Sequence, residues 1–195
     1  VTLTATPSSG STFTGWSGAC SGTGVCTVTM TEAKAVTAQF QAQSFSLTVT
    51  RAGNGIGSVA ASSGGLLCGV TCSATYAGGS SVTLTATAGT NSRFAGWSGA
   101  CTGTGACVVS MTASRSVTAT FEVSRYTLSV SRSGEGAGSV SSSPSGISCG
   151  ATCSTSMAAG ASVKLTATAA KGSKFAGWTG ACSGAASSCT VSMNA

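Results

Sequence analysis

Trp16, Trp97 and Trp178 stand 81 and 81 residues apart, and much of the chain keeps the same step. Phe13, Phe94 and Phe175 repeat with it, as do Cys20, Cys101 and Cys182. Cys68 and Cys72 return as Cys149 and Cys153. The VTLTAT that opens the chain returns at Val82 and, as VKLTAT, at Val163. A fixed period of this kind restricts the fold to one small unit built several times, each copy resting on its neighbours. The 195 residues hold about 2.4 copies. Residues 1–43 form the C-terminal half of a first repeat, 44–124 a complete repeat, and 125–195 a third repeat lacking its last strand. The chain opens inside the pattern, with neither an initiating Met nor a signal peptide, as a mature or excised segment would.

Within a copy the pattern is that of β-strands. Val82, Leu84 and Ala86 alternate with Thr83, Thr85 and Thr87, the two-residue period of a half-buried strand. Phe45, Leu47 and Val49 alternate in the same way, as do Tyr126, Leu128 and Val130, and Cys107, Val109 and Met111. Val117, Ala119 and Phe121 close the complete unit, matched by Val36, Ala38 and Phe40. A shorter strand over Gly57 to Ala60 follows the Gly-rich turn AGNGIG, whose counterpart is SGEGAG at Ser133 to Gly138. The segment MAAGASVKLTATAA has some helical look, but its copies are rich in Thr and β-branched residues, which favours strand. Each unit is expected to carry five or six short strands.

Large apolar side chains are few in each copy, so a unit of this size buries barely enough surface to fold alone. The ten cysteines supply the supplement. They fall in close pairs, 20/26, 68/72, 101/107, 149/153 and 182/189, with none left over. An even count in small Gly-rich β units reads as a disulfide framework formed in an oxidising compartment. The third copy carries one more residue between Cys182 and Cys189 than the others do between Cys20 and Cys26 or Cys101 and Cys107. A locally closed loop absorbs such an insertion, which favours Cys20–Cys26, Cys68–Cys72, Cys101–Cys107, Cys149–Cys153 and Cys182–Cys189. A cross-link from the 68/72 loop to the 101/107 loop is the other arrangement the spacing allows. Zinc on four thiolates is the rival, but the spacing is looser than a C-x2-C knuckle and the carboxylate-poor surroundings offer no supporting shell.

The inventory excludes most chemistry. The chain has no His and no Asp, so neither a Ser-His-Asp nor a Cys-His arrangement can be assembled, and no His-containing metal site can form. Glu32, Glu122 and Glu135 lie far apart and share no common setting for paired-carboxylate hydrolysis. No catalytic residue, cofactor or metal is expected. No apolar run approaches the ~18 residues of a membrane span. The net charge of +6 comes from nine cations scattered without a Lys/Arg run, which does not suit nucleic acid. Arg93, Arg115 and Lys174 are read as solvated surface charges. The chain has no N-x-[ST] site, though its Thr rows would admit O-glycosylation.

One motif is more specific. F-x-G-W-[S/T]-G-A-C recurs as FTGWSGAC at Phe13, FAGWSGAC at Phe94 and FAGWTGAC at Phe175. With the trailing C-x-V-x-M and the strand SVTATF over Ser116 to Phe121, it resembles the divergent internalin B-repeat family of bacterial surface and secreted proteins. The resemblance implies a compact β-rich module, β-grasp-like or sandwich-like, strung in tandem on large exported proteins and without catalytic activity. The expected fold is therefore mainly β: a tandem array of small disulfide-stapled domains. Trp16, Trp97 and Trp178 are candidate aromatic contacts for sugar or a partner, but core packing beside the adjacent disulfide is the stronger expectation for so small a unit.

The links between copies are short, Gln41-Ala42-Gln43 and Glu122-Val123-Ser124, which forces neighbours into contact and favours a stiff rod. The fragment would expose unpaired strand edges, to be covered by further copies or by strands from a neighbouring molecule. The expected role is a structural segment of an extracellular bacterial filament, stalk or sheath. Its partners would be neighbouring repeats or other copies. The alternative is a surface adhesin or carbohydrate-binding accessory region with glycan partners.

Overall fold

The computed structural model describes residues 1–69, 71–150 and 152–194. Among these residues there is no helix, so of the two modules expected the fold takes the sandwich form, without the helix of a β-grasp. The chain divides into two compact units. The first holds Val1–Gly53, Gly57–Ala88 and Phe94–Phe121; the second holds Asn54–Ile56, Gly89–Arg93 and Glu122–Ala195.

The first repeat contributes four strands: β1 (Thr2–Leu3), β2 (Ser11–Gly18), β3 (Cys26–Thr27) and β4 (Val36–Ala42). β1 pairs with β3 and β2 with β4, both antiparallel. The second repeat contributes β5 (Ser44–Ala52), β6 (Gly57–Ala61), β7 (Leu67–Cys68), β8 (Thr71–Ala77), β9 (Ser81–Ala88), β10 (Ser92–Gly99), β11 (Cys107–Ser110) and β12 (Arg115–Val123). These form two four-stranded sheets, ordered β10-β12-β5-β8 and β11-β9-β6-β7. The third repeat contributes β13 (Arg125–Ser129), β14 (Gly138–Ser143), β15 (Ser148–Cys149), β16 (Ser154–Ala158), β17 (Ser162–Ala169) and β18 (Ser188–Ser192). Here β15-β14-β17-β18 makes one sheet, and β13-β16 a two-stranded remnant of the other.

Alternation decides which faces meet. Leu47 and Val49 of β5, with Val117, Ala119 and Phe121 of β12, point inward from one sheet. Val59, Val82, Leu84, Cys107 and Val109 answer from the other, and all ten lie in one buried cluster. This is the layered solution for two sheets that each bury one face. The pairing of β12 with β5 is parallel, in register from Arg115↔Leu47 to Thr120↔Ala52, whereas β5 pairs with β8 antiparallel.

The partial copies show what that parallel pair is worth. In the first repeat, Phe40 and Met30 are 49% and 58% exposed, while their counterparts Phe121 and Met111 are 0% exposed. The difference lies in pairing: among the described residues β4 pairs with β2 alone, whereas β12 also pairs with β5. In the third repeat, residues 173–180 carry the same motif as β10 but form no strand, only the isolated bridge Trp178↔Gly184.

The links between copies are shorter than their composition suggested. Gln41 and Ala42 belong to β4, opposite Thr12 and Ser11, and Glu122 and Val123 belong to β12. Only Gln43 and Ser124 remain outside strands. Each is clamped twice through its backbone. In the first unit, Gln43 N donates to Gly10 O at 2.7 Å and Gln43 O accepts from Gly78 N at 2.8 Å. In the second unit, Ser124 N donates to Asn91 O at 2.9 Å and Ser124 O accepts from Ala159 N at 2.8 Å. Gly10 (φ +80°) and Asn91 (φ +57°) both take the left-handed conformation, which Asn tolerates better than most residues.

Candidate functional site

The residues singled out by sequence converge on one construction, a clip built around each Trp. A residue three places after Phe in a regular strand would face the opposite side of the sheet. In the β2–β4 pair the register shifts between Phe13 and Gly15, leaving Thr14 without a partner on β4. This bulge returns Trp16 to the face of Phe13. The rings then meet edge to face at 5.1 Å, and the same pair recurs at 4.9 Å for Phe94–Trp97 and 5.1 Å for Phe175–Trp178. Glycine is required one place before the Trp: Gly96 has φ +145°, and a Cβ there would lie 3.1 Å from Gly103 O.

The Trp then holds the loop that follows. Trp97 N donates to Gly103 O at 2.7 Å and its indole Nε1 donates to Gly105 O at 2.9 Å. Trp16 makes the same two bonds, to Gly22 O and Gly24 O, both at 2.8 Å. Trp178 makes them to Gly184 O at 2.8 Å and Ala186 O at 2.9 Å. Disulfides Cys20–Cys26, Cys101–Cys107 and Cys182–Cys189 close these loops, with Cα separations of 5.7, 5.5 and 6.1 Å. The extra residue of the third copy falls after Ala186, beyond the carbonyls the Trp uses, so the clip keeps its form. A second pair of bridges, Cys68–Cys72 and Cys149–Cys153, closes the turns after β7 and β15. All bridges are local; none joins the 68/72 loop to the 101/107 loop. No cysteine is free among the described residues. Short loops of this kind contribute roughly 2 kcal/mol each in the chain-entropy picture.

Trp97 is only 6% exposed and belongs to the core of its sandwich, whereas Trp16 and Trp178 are half-buried. The single indole donor is satisfied inside the protein in every copy. The arrangement is thus a packing and stapling device in the complete repeat, with no aromatic face held open. The charges do not gather with it. Arg93 pairs with Glu122 and Lys34 with Glu32, all at the surface. Arg51 Nη1 donates to Gly57 O at 2.9 Å, tying β5 to the start of β6, and Arg132 Nη1 repeats the bond to Gly138 O at 2.6 Å. Burial raises the Tyr76 pKa above the ordinary 10.0, and its hydroxyl donates to Ser63 O at 3.1 Å. Among the described residues no cluster of three His, Cys, Asp or Glu could hold a metal ion, and no helix is long and apolar enough to cross a membrane.

No curated protein and no solved structure matches the chain. A family model does: that of the divergent InlB B-repeat domain matches residues 1–44, 47–125 and 126–195, each segment containing one Phe-x-Gly-Trp clip. The chain therefore belongs to the divergent InlB B-repeat family, a bacterial surface repeat.

Proposed function

We propose that the chain is a structural segment of an extracellular bacterial filament, stalk or sheath, whose copies act as stiff links and catalyse nothing. The observation that carries this reading is the joint between copies. A single residue lies outside strands, and it is held by backbone hydrogen bonds on both sides, in the same way at Gln43 and at Ser124. A joint of that kind transmits bending and tension, which a flexible tether would not. Membership of a surface-repeat family and the dense disulfides support an oxidising, extracellular setting. The sparse charge lets copies or chains pack side by side without strong repulsion. The adhesin alternative would need an aromatic face open to a glycan, and the complete repeat offers none at Trp97.

Small-angle scattering from arrays of two, three and four complete copies tests the stiffness. Rigid links add a constant increment of about 30–40 Å per copy to the maximum dimension. Growth with the square root of copy number is the behaviour of flexibly tethered beads and would remove the basis of the proposal.

A further inference from the structure

We infer that two copies of this chain join edge to edge through β8, antiparallel about a two-fold axis at Thr75. The inference goes beyond the mechanical role above and does not depend on it, since such a dimer can form whatever load the chain bears.

β8 is the outer strand of its sheet, ordered β10-β12-β5-β8. Being an edge belongs to the copy itself: β16, the counterpart in the third repeat, follows a complete copy and is an edge as well. β8 pairs with β5 without a register shift from Ser44↔Ala77 to Thr50↔Thr71. Bonded pairs alternate along such an antiparallel ladder. Gly78 N donates to Gln43 O at 2.8 Å, so Tyr76 and Ala74 are the next residues bonded to β5. Ser73, Thr75 and Ala77 therefore turn their N–H and C=O groups away from it. Ala77 O accepts from Ser80 N at 3.1 Å, but the three amides and the carbonyls of Ser73 and Thr75 have no partner among the described residues. Charge, proline and bulges are the devices that keep an edge single, and β8 has none of them.

The third repeat carries such a device at the same place. By the same alternation Ser156 O points away from β13. Arg125 reaches it: its Nε donates to Ser156 Oγ at 3.0 Å and its Nη2 to Ser156 O. A guanidinium thus occupies the edge carbonyl of β16. In the complete repeat Ser44 stands in place of Arg125 and Thr75 in place of Ser156, so the edge that Arg125 blocks is open in β8.

The open edge is complementary to itself. With Thr75 opposite Thr75, Ser73 falls opposite Ala77, and the outward groups of each chain meet those of the other as bonded pairs. Ala74 then falls opposite Tyr76, a small side chain beside a large one. Ser73, Thr75 and Ala77 are exposed, small and uncharged, so no like charges are brought together. A second copy supplies this match by symmetry, which is the argument for it over an unrelated strand.

Sedimentation equilibrium of the intact 195-residue chain tests the inference. A reversible monomer–dimer equilibrium is expected, weak because the interface is small, with half the chains paired at or below about 1 mM. Ser44→Arg should rebuild the block and raise the dissociation constant at least about tenfold. Thr75→Pro should do the same at unchanged circular dichroism, because the amide it removes faces away from β5. Should the proline variant unfold, Ser44→Arg decides alone. Nuclear magnetic resonance should show the Ser73, Thr75 and Ala77 amides exchanging more slowly as concentration rises. A chain that stays monomeric at about 1 mM would overturn the inference. So would a dimer that a folded variant leaves intact, or one that leaves those amides unprotected; it would use another surface, such as exposed Leu67 and Val108.

Discussion

Phe40 and Phe121 occupy the same place in successive copies and so form a matched experiment. Each meets an equivalent ring at nearly the same distance, Phe13 at 5.5 Å and Phe94 at 5.4 Å, and both belong to the first compact unit. They differ in burial, 49% exposed against 0%. Phe121→Ala removes a fully enclosed ring and leaves a cavity beside Gly57, at a cost of about 3–5 kcal/mol. Phe40→Ala removes a ring whose outer half already faces solvent. Water fills the space, and half of the ~1.5–3 kcal/mol transfer contribution, about 1 kcal/mol, is lost. Guanidinium unfolding of the intact chain, followed by far-ultraviolet circular dichroism and Trp emission, measures both. The Phe121 variant should shift the midpoint at least about three times as far as the Phe40 variant. Equal shifts, or a larger one for Phe40, would refute the idea that the parallel β5–β12 pair seals the core.

Three further outcomes follow from named contacts. Reductant should destabilise the complete repeat by about 4 kcal/mol through its two bridges, Cys68–Cys72 and Cys101–Cys107, and lower its melting temperature by more than about 15 °C. A chelator should leave the melting curve unmoved; calorimetry with and without each agent reads both. Gly96→Ala should cost about 1–3 kcal/mol, because φ +145° is hostile to a Cβ and Gly103 O must yield, and near-ultraviolet dichroism should report a loosened Trp97. Finally, since burial raises the Tyr76 pKa, the folded state holds that proton more tightly than the unfolded one. The resulting stability is present below pH 10.0 and is lost as pH rises through the higher folded value. Alkaline denaturation should therefore be shallower in Tyr76→Phe than in the parent, and identical profiles would contradict that assignment.

The strand faces were legible because alternation is local. Leu47, Val49, Val82, Leu84, Val117 and Phe121 all point inward where the period placed them. β8 (Thr71–Ala77) and β10 (Ser92–Gly99) were harder to see. One is dominated by small residues, and the other contains a glycine whose counterpart in β2 follows a bulge, so neither gives a clean two-residue period. The parallel partnership of β12 with β5 joins residues nearly a whole copy apart, which no local pattern encodes. For the same reason FAGWTG over residues 175–180 shares its letters almost wholly with β10 yet forms no strand. The three tryptophans were likewise identical as letters. Only the strands packed around them separate buried Trp97 from half-buried Trp16 and Trp178.

Imaging the assembly in its native extracellular material by electron cryomicroscopy tests the proposed role most directly. A mechanical link should appear as a thin fibre or sheath with an axial repeat of about 30–40 Å, one copy per step. Isolated globular particles, or fibres whose axial spacing bears no relation to one copy, would contradict it.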